Sequence, residues 1–146
     1  MENHKFISVI IPVYNEEKYI DVCIASMLEQ DYPKESMEWF FVDGMSQDAT
    51  RQILAQYQSR YPALIHVLEN PNKTVPYAMD AGIQASKGEY IIRLDAHAEY
   101  AQDYFSKCVE LLDRTGADNV GGVMQTKSRT PMGGVIAKML SSKFGV

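Results

Sequence analysis

The chain has 146 residues, a length that suits one folded domain with a real core and is too short for two comfortable ones. Its 14 Lys and Arg stand against 19 Asp and Glu, a formal charge of −5, and with no basic cluster along the chain this argues against nucleic acid as a partner. The hydrophobic content of 46% is that of a globular protein, and no apolar run approaches the roughly 20 residues that a membrane-spanning helix requires.

The N-terminus, Met1-Glu-Asn-His-Lys5, passes directly into a strand pattern. It has no charged start, apolar stretch and small-residue cleavage site, so no secretory signal is expected there. The first strand reads Ile7-Ser-Val-Ile-Ile-Pro-Val13. Pro12 inside it deletes a ladder hydrogen bond, so pairing must end or bend near that residue. Ile20, Cys23, Ile24, Met27 and Leu28 then repeat with helical spacing and predict a helix over residues 17–30. Asp31-Tyr32-Pro33 ends it, because the residue before proline is pushed out of the helical region.

A second strand is predicted over residues 38–42, followed by an amphipathic segment carrying Ile53, Leu54, Tyr57 and Tyr61. A short third strand covers 65–68, and Asn70-Pro71-Asn72 is a turn signal. Pro76 suits the first turn of the next helix and Gly88 its exit. The fourth strand runs over 90–94, and a last clear helix carries Tyr104 to Leu112 and stops at Gly116. Residues 119–124 form a possible further strand, and 135–140 a possible short helix. Val135 to Phe144 is apolar enough to pack or to form a surface that meets other chain, which leaves the oligomeric state open. Cys23 and Cys108 lie far apart, in no metal-binding spacing, among apolar neighbours. They read as buried thiols in a reducing cytoplasm.

Strands alternating with helices predict an α/β fold, a mostly parallel sheet with covering helices. In such sheets the ligand crevice lies outside the carboxyl ends of the strands. Three polar clusters fall at such ends: Tyr14-Asn15-Glu16, Asp43-Gly44 and Asp95-Ala96-His97. Asp95 and His97 are two positions apart, a spacing that puts both on one side of an extended segment and suits a divalent cation. The imidazole is tolerated better by Mn²⁺ than by Mg²⁺. The plainer alternative is a loop-capping Asp95 and a surface His97. Asp43 either accepts a ring N–H from a flat ligand or forms a turn ahead of Ser46, which would cap the next helix. Asn15 is an equally good N-cap, and Tyr14 either stacks on a base or covers the sheet edge.

Together these residues resemble the family 2 glycosyltransferases of the GT-A fold. Ser8-Val-Ile-Ile-Pro-Val-Tyr-Asn-Glu16 is similar to the family's first-strand signature, and Phe41-Val-Asp-Gly-Met-Ser-Gln-Asp-Ala-Thr50 to its second. Asp80-Ala-Gly-Ile-Gln-Ala-Ser-Lys-Gly-Glu-Tyr-Ile91 is similar to its N-x-G-I-x-x-A-x-G-E-Y-I segment, and Asp95-Ala-His97 stands where its D-x-D motif belongs. Arg93-Leu-Asp-Ala-His-Ala-Glu-Tyr100 resembles the D-A-H-A variant of succinoglycan-type exopolysaccharide enzymes.

The resemblance implies a Rossmann-like sheet with helices on both faces and a nucleotide-sugar site. Pro12, Tyr14 and Glu16 would line the nucleoside pocket, with Glu16 near the ribose. Asp43 would read the base, and Asp95 and His97 would hold Mg²⁺ or Mn²⁺ on the diphosphate. It further implies sugar transfer with inversion, from a donor such as a UDP-sugar to a glycan or lipid-linked acceptor, by a cytoplasmic domain that would meet the inner face of a membrane only through a missing C-terminal part. The chain departs from the family at His97, at Asp80, and at Met79, where a basic residue often sits. The family's catalytic base lies well after the D-x-D segment, which places it beyond Val146 in an acceptor-binding half. The chain is therefore expected to be a donor-binding portion, incomplete at its C-terminus. The alternative is a nucleotide-sugar binding module without turnover.

Overall fold

Branched and aromatic residues fill the runs that become strands, and the computed structural model, which describes residues 3–122, pairs them into one four-stranded sheet. The elements in chain order are β1 (Ile7–Val13), α1 (Ile20–Leu28), a 3₁₀ turn (Lys34–Ser36), β2 (Met37–Asp43), α2 (Thr50–Arg60), β3 (Ile65–Glu69), α3 (Val75–Ala85), β4 (Tyr90–Arg93) and α4 (Tyr104–Thr115). Every pairing is parallel, in the spatial order β3-β2-β1-β4.

The chain thus winds outward from β1 to β3, then crosses back to place β4 on the far side of β1. Right-handed crossovers running in opposite directions put their helices on opposite faces. Accordingly α1, α2 and α4 cover the face bearing Ile7, Val9, Ile11, Trp39 and Phe41. Helix α3 covers the other, over Ile10, Phe40 and Val42. The α/β architecture expected from the alternation is found, with helices on both faces as the resemblance implies. Among the described residues no helix is long and apolar enough to cross a membrane.

Strands β1 and β2 are covered on both sides, which is why they read as continuous apolar runs rather than alternating ones. Ser8 and Glu38 break the pattern yet are buried. The Ser8 hydroxyl donates to Glu38 Oε1 at 2.7 Å, and the same oxygen accepts the Lys87 N–H at 2.7 Å. Ser8 Oγ in turn accepts the Gly88 N–H at 2.8 Å. This network ties the α3–β4 connection to the sheet. Gly88 is therefore not a helix exit, which falls at Ser86: a Cβ on Gly88 would lie 2.4 Å from the Ser8 nitrogen.

The elements depart from their predicted bounds for identifiable reasons. Helix α1 starts at Ile20 rather than at 17, because the Glu16 carbonyl accepts N–H groups from both Tyr19 and Ile20 and closes a turn first. It ends at Leu28, and Gln30 instead bridges to the Ala101 carbonyl at 2.6 Å and the Phe105 N–H at 3.0 Å. Strand β2 gains Met37 and Asp43, β3 gains Glu69, and β4 ends one residue early at Arg93. Pro76 does sit in the first turn of α3, and Gly116, with φ +66°, closes α4 in the left-handed conformation. Residues 119–122 are not a strand; 123–124 and the predicted helix over 135–140 lie outside the described residues.

Pro12 acts on one side only. Pairing with β2 continues through Val13, whose carbonyl accepts the Gly44 N–H at 2.8 Å. Pairing with β4 stops where the Ile10 carbonyl accepts the Leu94 N–H at 3.0 Å. Successive residues of a strand bond to opposite neighbours, so the donor missing at Pro12 is one that would have faced β4. Cys23 and Cys108 are buried free thiols. Burial, helped by the charges of Glu16 and Asp95, pushes the Cys23 thiol up to about 12.

Candidate functional site

A cleft of about 180 Å³ opens at the carboxyl ends of the strands, beside the first turn of α3. Pro12, Tyr14 and Glu16 enter it from the end of β1, and Asp95 and His97 from the end of β4. Five of the residues singled out in the sequence thus line one cleft. Tyr14 is half exposed, with its ring available to a planar ligand.

Asp43 is placed differently. Its neighbours Val42 and Gly44 line the cleft, but Asp43 is 1% exposed and sits behind them. Its carboxylate accepts the Ser46 hydroxyl at 2.5 Å and the Ser46 N–H at 3.1 Å, and lies 3.5 Å from Arg51 Nε. A Cβ at Gly44 would lie 3.3 Å from the Lys73 carbonyl oxygen and 3.5 Å from that of Val13, so the glycine lets the loop after β3 approach closely. An ionised carboxylate has about four acceptor positions, so capacity remains for one further donor.

The loops after β1 and β2 are bonded to each other residue by residue. Asn15 donates its N–H to Ser46 Oγ at 2.9 Å, and its side-chain oxygen accepts the Gln47 N–H at 2.8 Å. Glu16 donates its N–H to Thr50 Oγ1 at 2.9 Å. Glu17 donates to Asp48 at 3.2 Å and, through its own carboxylate, accepts the Ala49 N–H at 2.9 Å. Asn15 is therefore not the cap of α1, which has no side-chain cap, and Ser46 does not cap α2. Asn15, Met45 and Lys73 all have positive φ, at 49°, 66° and 65°. Non-glycine residues are rarely held there, and such strain concentrates where loops are fixed for a ligand.

Asp95 is fixed through its backbone. The Tyr100 hydroxyl accepts the Asp95 N–H at 2.8 Å and donates to the Asp95 carbonyl at 3.2 Å. Burial pushes the Tyr100 phenol above its ordinary range, so it stays a donor at neutral pH. Cys23 Sγ lies 3.6 Å from the same carbonyl. The segment is a turn, with the Ala98 N–H on the Asp95 carbonyl at 3.4 Å, and not the extended run assumed from sequence. Asp95 and His97 still meet in the cleft, because Ala96 between them is buried in the core.

Their side chains stay available, at 59% and 63% exposure. His97 Nδ1 lies 3.1 Å from Glu16 Oε1, and Arg93 approaches Asp95 at 3.8 Å. Among the described residues no group of three or more His, Cys, Asp or Glu side chains gathers to hold an ion. A carboxylate oxygen and an imidazole nitrogen nevertheless fit a cation that takes its other ligands from water and phosphate oxygens, as Mg²⁺ and Mn²⁺ do at nucleotide sites.

Asn70, Lys73 and Arg93 also line the cleft, and the sequence reading passed over them. Asn70 is buried, takes the Asp43 carbonyl with its N–H at 2.7 Å, and donates its amide to the Thr74 carbonyl at 2.9 Å. It stands at the end of β3, so the strand-end rule that marked the other clusters applies to it as well. Arg93 was legible as the one charge in the run Tyr90-Ile-Ile-Arg-Leu94. Asp80 and Met79 do not reach the cleft: Asp80 accepts from Gln84 along α3, and Met79 packs against the sheet. Gly82 is there for packing, since a Cβ would lie 2.6 Å from Ile10 Cγ2. Asp103, a nearby acid, is paired with Lys107 at 2.9 Å, and hydrogen bonding from that lysine holds its carboxyl below the ordinary range.

Comparison with known proteins gives consistent findings. The family model described as glycosyl transferase family 2 matches residues 8–135. The dolichyl N-acetyl-alpha-D-glucosaminyl phosphate 3-beta-D-2,3-diacetamido-2,3-dideoxy-beta-D-glucuronosyltransferase of Methanococcus voltae is 35% identical, over 94% of this chain and 44% of its own length. The succinoglycan biosynthesis protein ExoA of Rhizobium meliloti is 30% identical, over 94% of this chain and 42% of its own. Among solved structures, a mannosyltransferase from Pyrobaculum calidifontis in complex with GDP-Man and Mn²⁺ superposes with a TM-score of 0.71 and 26% identity, covering 75% of this chain and 33% of that one. The chain spans less than half the length of these relatives.

Proposed function

The chain belongs to glycosyl transferase family 2 and has its GT-A fold, and we propose that the strand-end cleft binds the nucleoside diphosphate of a sugar donor for transfer to a glycan or lipid-linked acceptor. The observation that carries this reading is the meeting of Tyr14, Glu16, Asp95 and His97 in one cleft, from strands on either side of the point where the strand order reverses. Such switch points are where open α/β sheets bind nucleotides.

The roles follow from what each side chain presents. The half-exposed Tyr14 ring stacks on the base. Asn70 meets the base edge, and the acceptor position left on Asp43, buried behind Val42 and Gly44, takes a ring N–H of the kind uracil carries. Glu16 keeps one carboxylate oxygen for a ribose hydroxyl. Lys73 and Arg93 offset phosphate charge, the task for which Met79 is of no use. Asp95 and His97 hold a divalent cation, and the imidazole favours Mn²⁺ over Mg²⁺. When bound, that cation neutralises charge building on the leaving nucleoside diphosphate.

The cleft, at about 180 Å³, is smaller than the roughly 300–1,000 Å³ of complete small-molecule sites, which fits a pocket for only part of a donor. A lipid-linked acceptor is favoured by the phosphodolichol acceptor in the name of the Methanococcus relative, and it would bring the working enzyme to a membrane surface.

Calorimetric titration of the chain with UDP, with and without Mn²⁺, tests the reading. Stacking on an aromatic ring contributes about 1–3 kcal/mol, so Tyr14→Ala should weaken UDP at least about fivefold. Asp95→Ala should remove the dependence on Mn²⁺, and UDP methylated at the uracil N3 should bind poorly. A folded wild-type chain that does not bind UDP refutes the site.

A further inference from the structure

We infer that Glu16 is a positioning residue for the cation site: it fixes His97 in the tautomer that protonates Nδ1 and leaves Nε2 as the ligand nitrogen. The inference rests on the donor-cleft reading above and assigns Glu16 a task there besides contact with the ribose.

The two groups contribute unequally to their 3.1 Å contact. Glu16 is held on both sides of its backbone, its N–H on Thr50 Oγ1 at 2.9 Å and its carbonyl by Tyr19 and Ile20 at 3.0 and 2.9 Å. Its side chain is 20% exposed, against 63% for His97. Glu16 is therefore the fixed partner and the imidazole the adjustable one. A carboxylate can only accept, so the contact is attractive only with a proton on Nδ1. In a neutral imidazole the lone pair then sits on Nε2, at the far side of the ring.

This is the arrangement by which metal-binding histidines are usually oriented. The nitrogen away from the metal donates to a carboxylate, which fixes the ring and raises the basicity of the ligating nitrogen. A free imidazole in water prefers the opposite tautomer, with the proton on Nε2, which cannot ligate through that atom. Glu16 thus makes His97 a usable substitute for a second carboxylate, and it joins the nucleoside wall to the cation wall through one side chain.

The test uses the full chain labelled with ¹⁵N-histidine. Long-range ¹H–¹⁵N correlation at pH 8, without metal, reads the tautomer directly, and His97→Gln assigns the signal among the three histidines. The wild type should show Nδ1–H, Glu16→Ala should shift toward Nε2–H, and Glu16→Gln, whose amide oxygen still accepts, should largely keep Nδ1–H. In parallel, Mn²⁺ affinity in the presence of UDP, read by electron paramagnetic resonance, should fall roughly 10–100-fold in Glu16→Ala and much less in Glu16→Gln. Nε2–H or a doubly protonated ring in the wild type overturns the inference, as does an unchanged tautomer or unchanged Mn²⁺ affinity in Glu16→Ala. Failure of the donor-cleft reading is distinguishable: UDP would not bind the wild type at all, while the Nδ1–H signal, which needs no ligand, would persist. The ligand role of Nε2 would then fall with that reading, and the tautomer assignment would stand.

Discussion

Thr50→Val replaces a side chain of nearly the same shape and removes only the hydroxyl. Thr50 is fully buried at the first position of α2. Its oxygen accepts the Glu16 N–H at 2.9 Å, and its hydroxyl donates to Asp48. The substitution leaves a part-buried backbone donor without an acceptor, which costs about 1–3 kcal/mol, and strips one donor from a carboxylate that keeps its other hydrogen bonds. About 2 kcal/mol of destabilisation is expected, or about 6 °C in the unfolding midpoint of a chain this size. Thermal unfolding followed by circular dichroism measures it, with Thr50→Ser, which keeps the oxygen, recovering most of the loss. Because the released N–H belongs to Glu16, UDP affinity should fall in Thr50→Val even well below the unfolding temperature. A Thr50→Val chain as stable as wild type and equal to it in UDP binding would show that the bonds between the two loops are incidental to the site.

Gly88→Ala places a methyl 2.4 Å from the Ser8 nitrogen, a backbone atom that cannot swing aside, so urea denaturation should show a loss of about 3 kcal/mol. Burial raises the Asp48 carboxyl, but hydrogen bonds from the Thr50 hydroxyl and from the N–H groups of Thr50 and Glu17 outweigh it and hold the group below its usual value. A depressed carboxylate stabilises the fold above the unfolded range near about pH 4 and loses that contribution as pH falls through its folded value. The urea midpoint should therefore drop on acidification below pH 4, and Asp48→Asn should flatten that fall. Cys23, buried and raised to about 12, should resist iodoacetamide at pH 8 in the native chain and react promptly in urea, as followed by mass spectrometry.

Much of this fold could be read from periodicity, because its two central strands are apolar on both sides and its helices on one. Four strands and four helices stand where the pattern puts them, with ends shifted by a few residues. One end moved because a local turn on the Glu16 carbonyl delays α1, and the other because Gln30 leaves the helix to hold Ala101 and Phe105. No local rule contains those last two partners. The cleft was legible because strand ends converge in a parallel sheet whatever the sequence between them. The work of Ser46, Asp48 and Thr50 was not. Ser46 read as a cap for its own helix, and Asp48 and Thr50 only as letters of a motif, whereas their partners Asn15, Glu16 and Glu17 lie about thirty residues earlier. Asn70 escaped for the opposite reason: beside Pro71 it looked like a sufficient turn signal, so its place at the end of β3 was not counted.

Pro12 gives the sheet a seam that closes at one end and parts at the other. Beyond Ile10 and Leu94 β1 parts from the chain that leaves β4, because β1 stays bonded to β2 through Val13 while Pro12 offers no N–H on the side of β4. The parting starts at an atom that proline lacks and is completed by the turn at Asp95, so an N–H returned at position 12 would restore a single donor toward β4. Pro12 thus serves the site through a bond it withholds as well as through its place in the cleft wall.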